Sequence, residues 1–326
     1  LTDNFGRTID SLRVSVTDRC NLRCLYCMPE DGLKLKNKEE ILSIEEIIQI
    51  TKIFTNLGIK KVRLTGGEPL LRNDLIEIIK KLIEINPIED LSITTNGTIL
   101  SDFCLPLKNA GIKRINISLD TLNKKKFGLI TRVGKLSKIK KSINRAIETD
   151  FSPIKINVVV IKGFNEDEIS DFAKLTFEYP LQIRFIEFMP SRNGNFWNLK
   201  RFIPESEIRK RCEALGKLFP IEISEGSRSA KVFKYENSIG NIGFISPISD
   251  RFCDKCGKVR ITADGLLKLC LFSEKGLNLK DSIRKGIKDT EIEESILSVI
   301  KLKPESHSID LTSDKNYNLL MSQIGG

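Results

Sequence analysis

The chain has 326 residues, with 53 Lys and Arg against 43 Asp and Glu, giving a formal net charge of +10. At about 150 residues per domain this length holds roughly two domains, and a chain of this size buries about three quarters of its unfolded surface without needing disulfides. Hydrophobic residues at 40% and charged residues at 29% exclude collagen, coiled coil and wholesale disorder, and no apolar run approaches the ~18 residues of a membrane span.

The start, Leu1-Thr2-Asp3-Asn4, lacks both a Met and the basic-then-apolar pattern of a signal peptide. It reads as a processed or trimmed chain of the cytoplasm, or of an organelle if an upstream targeting segment has been removed. In chain order, Arg13-Val14-Ser15-Val16 predicts a strand. Residues 44–57 carry apolar side chains at helical spacing and end at Gly58. A strand at 61–64, a helix at 75–85, a strand at 91–94 and a weakly helical stretch through Leu107 follow. The pattern continues with a strand at 115–119, a helix at 136–147, a strand at 155–160, a helix at 166–177 and a strand at 181–188. Six alternations imply a parallel sheet covered by helices.

The strand endings are polar or glycine-rich: Asp18-Arg19-Cys20, Thr65-Gly66-Gly67-Glu68-Pro69, Thr94-Thr95-Asn96-Gly97, Ser118-Leu119-Asp120 and Glu187-Phe188-Met189-Pro190. Parallel α/β folds bind ligands at these ends. A whole or partial barrel would gather them around one mouth; an open doubly wound sheet is the competing arrangement. From about Asn193 the alternation stops. Turns and short strands at 231–235, 259–262 and 266–269 suggest a smaller C-terminal domain, with the division placed at 1–200 and 201–326. Lys124 to Lys126 and Lys138, Lys140 and Lys141 read as solvated helix faces rather than a nucleic-acid groove.

Eight cysteines stand beside a single histidine, His307. Two, Cys104 and Cys212, match no pattern and read as buried structural thiols. The other six form two groups, Cys20-x3-Cys24-x2-Cys27 and Cys253-x2-Cys256-x13-Cys270. Close spacing in a long chain points to metal or cluster binding in a reducing compartment. Structural zinc wants four protein ligands in a closed site, whereas three thiolates on a four-iron core leave one iron open. Asn21, Arg23 and Pro29 make the first group a polar loop rather than packed core. For the second group, zinc with a carboxylate such as Asp254 or Asp264 stays open beside a second cluster.

Cys20-x3-Cys24-x-Tyr26-Cys27 resembles the signature of the radical S-adenosylmethionine (SAM) superfamily, and Gly66-Gly67-Glu68-Pro69 resembles its second motif. The two cysteine groups together resemble the GTP 3′,8-cyclase family, which opens molybdenum cofactor biosynthesis. Further support comes from the segment from Leu12 to Cys20, Arg63 to Leu70, Thr94 to Gly97, Arg114 to Asp120, Phe185 to Pro190, Ile242 to Ile245 and the tail Ile324-Gly325-Gly326.

The resemblance implies a partial (βα)6 TIM-like barrel with a smaller C-terminal α+β domain carrying a second iron–sulfur cluster. It implies two [4Fe-4S] clusters and SAM as cofactors, held by Cys20, Cys24 and Cys27 and by Cys253, Cys256 and Cys270. Tyr26, Gly67, Ser118 and Met189 would line SAM. Arg13, Arg63, Thr94, Lys155, Lys258, Val259 and Arg260 would contact GTP, and Arg184, Gly325 and Gly326 would take part in the reaction. In that reaction the 5′-deoxyadenosyl radical removes the 3′ hydrogen of GTP, and the substrate radical closes onto C8 of guanine. An electron donor and a downstream pterin-forming enzyme would be its partners, with no membrane or nucleic acid, and the chain would act as a monomer or homodimer.

Gly257-Lys258-Val259-Arg260 departs from the family, which commonly has Asn-Arg followed by another Arg two residues later; Lys258 lacks the bidentate fork of arginine. On sequence alone the glycine tail reads more readily as a frayed terminus than as part of the site. Independently of the resemblance, Arg13, Arg63, Lys155 and Arg184 lie on predicted strands, where buried unpaired cations are costly, and they are accounted for if they face an anionic ligand. Two other readings remain: another two-cluster radical SAM enzyme such as a peptide maturase, and a non-catalytic protein binding zinc and nucleic acid.

Overall fold

A computed structural model of the chain describes residues 1–190, 196–222, 229–273, 276–307 and 309. The first half alternates strand and helix: β1 (Ser11–Ser15), α1 (Ile44–Asn56), β2 (Lys61–Thr65), α2 (Leu75–Ile83), β3 (Asp90–Thr95), α3 (Leu100–Asn109), β4 (Arg114–Ser118), α4 (Lys124–Thr131), α5 (Leu136–Glu148), β5 (Ile154–Val160), α6 (Ile169–Glu178) and β6 (Leu181–Glu187). Then come α7 (Glu205–Glu213), β7 (Leu218–Pro220), β8 (Lys231–Tyr235), β9 (Asn241–Ile245), β10 (Lys258–Ile261), β11 (Leu266–Lys268), β12 (Gly276–Asn278), α8 (Leu279–Arg284) and α9 (Asp289–Ile300).

The helices follow from apolar stripes and local caps. In α1, Ser43 accepts from the Glu46 N–H while the Glu46 carboxylate accepts from the Ser43 N–H, and Ile47, Ile50 and Phe54 face the sheet. In α2, Leu75, Ile78, Ile79 and Leu82 form the buried stripe. The strands carry the other half of the core: Leu12, Val14, Val62, Leu64, Ile93, Ile115, Ile117 and Ile156 are all buried in one continuous cluster with the helices.

Strands β1 to β6 pair in sequence order and all in parallel. A doubly wound sheet reverses its strand order at a switch point. Here the order never reverses, so the arrangement is the barrel-type one. Every strand ends on the same side, which brings the polar endings together.

The C-terminal region does not build a separate sheet. Strand β10 pairs in parallel with β1 on one edge, and β9 pairs in parallel with β6 on the other. Antiparallel β11 and β12 extend the first edge, and β8 and β7 the second. This region also holds three helices where sequence suggested only turns and short strands. Over nine residues α7 buries only Glu205, Ile208 and Cys212, too little apolar surface to register as periodic. Helix α9 buries Ile292, Ile296 and Ile300, an i, i+4, i+8 stripe.

Lys124, Lys125, Lys138, Lys140 and Lys141 are exposed, and Cys104 and Cys212 are fully buried, as expected. Among the described residues no helix is long and apolar enough to cross a membrane.

One buried carboxylate ties the second half to the first. Glu187, at the end of β6 and 1% exposed, accepts from the N–H groups of Glu205 (2.8 Å), Ile248 (2.9 Å) and Ser249 (3.0 Å) and from the Ser249 hydroxyl. It fixes the start of α7 and the loop that leads from β9 towards Cys253. Glu187→Ala strands these donors in the interior, at a cost of about 3 kcal/mol. A clearly lowered thermal unfolding midpoint is expected, and an unchanged midpoint would show that the loop does not depend on the clamp.

Candidate active site

At the C-terminal ends of the strands lies a cavity of about 320 Å³. Its wall includes Cys20, Cys24 and Cys27 from the loop after β1, and Cys253, Cys256 and Cys270 from the segments flanking β10 and β11. Residues more than 200 positions apart thus face one space, because β10 lies beside β1. All six cysteines are partly exposed and none forms a disulfide. They are soft thiol donors opening onto a cavity rather than packed into core, which fits an iron–sulfur group with an unligated iron.

The first cysteine loop is held by its neighbours. Gly67 N–H donates to the Thr17 carbonyl (2.8 Å) and Glu68 N–H to the Arg19 carbonyl (2.7 Å). A Cβ on Gly67 would stand 2.2 Å from that Arg19 oxygen, so no other residue fits. The close approach seen at Gly67 is to the cysteine loop itself. The Glu68 carboxylate accepts from Leu70 N–H (3.1 Å), the Thr95 hydroxyl (2.7 Å) and Asn96 N–H (2.6 Å). Burial raises its pKa to about 7. Asn96 then donates its amide to Asn21 Oδ1 (2.9 Å) and points the same group at Cys20 Sγ (3.8 Å).

Tyr26, Gly67, Ser118 and Met189 all line the cavity. Tyr26 packs edge-on against Phe188, with ring centroids 6.2 Å apart. Its hydroxyl donates to Asp120 Oδ2 (2.6 Å), and Asp120 Oδ1 accepts from Val159 N–H (2.9 Å). Sequence reasoning named Asp120 as a strand-end residue but gave it no role. Burial raises its carboxyl to about 6.

The cations are brought together more closely than spacing suggests. Arg260, Arg13 and Arg63 are register partners on β10, β1 and β2, so three arginines stand side by side across adjacent strands. The row continues through Ser92 to Arg114. Arg13, Arg63, Arg184, Lys258 and Arg260 all line the cavity, as does Thr94. Arg184 is held by neutral groups, donating to Asn157 Oδ1 (2.9 Å) and Asn116 Oδ1 (2.8 Å). Beside it Gly243 leaves room, for a Cβ there would meet Arg184 Cγ at 3.0 Å.

Among the described residues no carboxylate lies within ion-pair distance of Arg13, Arg63 or Arg184. Asp90 is taken by Arg114 and Asp10 by Lys61. Burial, and then the repulsion of Arg260, Arg63 and Arg184, depresses the pKa of Arg13. Burial and neighbouring arginines do the same to Arg184.

Two residues expected in the site are not on its wall. Lys155 is 4% exposed, and burial followed by Arg184, Arg114 and Arg63 lowers its pKa to about 7. Val259 alternates with Lys258 and Arg260 along β10, so its side chain lies in the hydrophobic core. Gly325 and Gly326 lie outside the described residues. Lys258 donates to the Ser229 hydroxyl (2.7 Å) and lies 5.4 Å from the Phe252 ring centroid.

Cys256 differs from the other thiols. Burial acts to raise its pKa, but Lys303, Lys258, a backbone N–H and Arg260 bring it below the ordinary value. Cys20, Cys24 and Cys253 are raised by burial. Lys303 and His307 also line the cavity; both come from the C-terminal segment, and no local motif marks them.

Residues 14–176 match the model of the radical SAM superfamily, and residues 181–309 match that of Molybdenum Cofactor Synthesis C. The chain is 44% identical to the GTP 3′,8-cyclase of Syntrophomonas wolfei over 100% of both chains. It is 47% identical to the GTP 3′,8-cyclase of Thermodesulfovibrio yellowstonii, covering 94% of this chain and 96% of that one. Among solved structures, Streptococcus suis SuiB bound to S-adenosylmethionine superposes with a TM-score of 0.61 at 16% identity, covering 90% of this chain and 72% of that one; this likeness is one of fold.

The raised Asp120 carboxyl has a consequence for stability. Its folded pKa of about 6 lies above the usual 3.8, so between these values the folded state holds more protons than the unfolded state. Stability therefore falls as pH rises through this window, by on the order of 2–3 kcal/mol. Asp120→Asn is expected to flatten that part of the dependence, seen as a smaller fall in thermal midpoint between pH 4 and 7. An identical fall in both proteins would exclude a buried carboxyl as its source.

Proposed function

The chain belongs to the GTP 3′,8-cyclase family of the radical SAM superfamily, and on that premise we propose that it converts GTP to (8S)-3′,8-cyclo-7,8-dihydroguanosine 5′-triphosphate, the first step of molybdenum cofactor biosynthesis. Its cofactors are two [4Fe-4S] clusters and SAM. The observation that carries the substrate assignment is the row of Arg260, Arg13 and Arg63, joined by Arg184 and Lys258, on the wall of the cavity that both cysteine groups share. A triphosphate carries about four negative charges and is best held by several cations.

Cys20, Cys24 and Cys27 would hold the first cluster, and Cys253, Cys256 and Cys270 the second. When bound, these groups and SAM supply the radical chemistry; the chain supplies placement and exclusion of water. Tyr26, Gly67, Ser118 and Met189 form the SAM side, with Asp120 fixing the Tyr26 ring. Arg13, Arg63, Thr94, Lys258 and Arg260 form the GTP side of the wall; Lys155 would act from behind that wall and Val259 only through its backbone. Arg184 is placed by Asn116 and Asn157 to meet charge in the same space; for Gly325 and Gly326, outside the described residues, a part in the reaction rests on the resemblance alone.

A peptide maturase would share the fold and both cysteine groups but has no use for a row of like charges. A zinc- and nucleic-acid-binding protein would not match radical SAM relatives along its whole length. An electron donor and a downstream pterin-forming enzyme are the partners. All eight cysteines are free thiols, which supports a reducing compartment, and we place the enzyme in the cytoplasm as a monomer or homodimer.

The deciding experiment is anaerobic reconstitution with iron and sulfide, followed by dithionite, SAM and GTP. About eight irons per chain are expected, with 5′-deoxyadenosine formed only when GTP is present. About four irons, or SAM cleavage indifferent to GTP, would remove the cyclase reading, and zinc in place of iron would remove both enzyme readings.

Arg13→Met tests the charge argument with two readouts of opposite sign. Losing one charge-assisted contact should raise the GTP concentration for half-maximal 5′-deoxyadenosine formation by about 10- to 100-fold. Relieving the repulsion with Arg63 and Arg260 should raise the thermal midpoint of the GTP-free protein. A lowered midpoint without GTP would show that Arg13 serves structure first.

A further inference from the structure

The segment after α9 crosses the second cysteine group and is stitched to every stretch that carries a cysteine of that group. Lys303, 3% exposed, donates its ammonium to the Lys258 carbonyl (2.9 Å) and to the Leu269 carbonyl. Those carbonyls lie two residues after Cys256 and one before Cys270. Arg7 completes the stitching: its guanidinium donates to the Cys253 carbonyl (2.7 Å) and to the carbonyls of Pro304 (2.7 Å) and Glu305 (2.8 Å), while Asp3 pairs with it. His307 reaches the Pro247 carbonyl (2.7 Å). Lys303 is thus wedged between the two cluster-bearing segments and borders the cavity.

Two backbone carbonyls accept from its ammonium but do not balance its charge. Among the described residues no carboxylate lies within ion-pair distance of it, and Asp3 is engaged by Arg7. A buried ammonium without a counter-charge is costly. Three thiolates on a four-iron core carry net negative charge that grows on reduction, and fixed charge nearby tunes such a cluster's potential. Lys258 and Arg260 also stand close to Cys256 and line the cavity; the proposed function assigns them to GTP.

We propose that Lys303 is a positioning residue of the second iron–sulfur cluster, pinning the segments of Cys256 and Cys270 together and supplying a fixed positive counter-charge that favours the reduced cluster. The inference rests on the reading that Cys253, Cys256 and Cys270 hold that cluster. It separates two duties that the sequence runs together: Lys258 and Arg260 for the substrate, Lys303 for the cluster.

The test uses the full chain carrying Cys20→Ala, Cys24→Ala and Cys27→Ala, so that only the second site can load. Iron per chain and the reduction midpoint are measured for this parent and for Lys303→Met, Lys303→Arg and the exposed neighbour Lys301→Met. The parent and Lys301→Met should each hold about four irons at one common midpoint. Lys303→Met should move the midpoint to more negative potential or lose its iron while staying folded by circular dichroism. Lys303→Arg should keep the iron and stay near the parent midpoint. Full loading of Lys303→Met at the parent midpoint would overturn the inference, as would equal loss of iron in the Met and Arg variants, which would make the role one of shape. A parent that binds no iron would overturn the second-cluster reading and this inference with it.

Discussion

Three arginines side by side on adjacent parallel strands form the constraint around which the rest of this molecule is arranged. Neighbouring strands lie about 4.8 Å apart. Two unit charges at that separation repel by about 3 kcal/mol at an effective dielectric of about 20. A sequence selected for stability alone would break the row of Arg260, Arg13 and Arg63 with a carboxylate or an apolar residue. Instead the surroundings keep it positive. Arg184 is fixed by two amides rather than by an acid, and the nearby carboxylates Asp10 and Asp90 are paired with Lys61 and Arg114. A polyanion entering the cavity would relieve that repulsion.

The topology decides what that row can face. Because β1 to β6 run in sequence order without reversal, their ends share one mouth. The chain then returns to both edges, with β10 against β1 and β9 against β6. The second cysteine group is therefore placed by strand pairing rather than by a linker, and its register with β1 also aligns Arg260 with Arg13. One pairing thus sets both the position of the second group relative to the first and the continuity of the cationic row between them.

Much of this was legible in the sequence. The six alternations, the cysteine spacings and the polar strand endings are local signals, and each led to the element it implied. The unusual placement of Arg13, Arg63 and Arg184 on strands was visible too, because a charge inside a β pattern conflicts with burial. What was not legible depends on pairing. No local rule says that β10 joins β1, so the alignment of three arginines could not be read, nor could the outward turn of Val259 into the core. Lys303 and His307 were invisible for the same reason: they reach the segments around the second cysteine group through backbone carbonyls tens of residues away, which leave no mark on composition. Helix α7 was missed because it is too polar and short. Helix α9 carried its isoleucine stripe openly, and the loss of strand–helix alternation before it obscured that stripe.

The buried carboxylates show how the cavity stays cationic although acids lie at the ends of three of its strands or in the loops that follow them. Glu68, Asp120 and Glu187 could each have neutralised the arginines. Each is instead engaged by donors of loops and of strand and helix ends: Glu68 by Leu70, Thr95 and Asn96, Asp120 by Tyr26 and Val159, and Glu187 by Glu205, Ile248 and Ser249. A carboxylate surrounded by N–H and O–H groups has little capacity left for a guanidinium. The acids therefore hold the loops while the cations face the cavity. This segregation of charge leaves Arg13, Arg63 and Arg184 lining the cavity that both cysteine groups share.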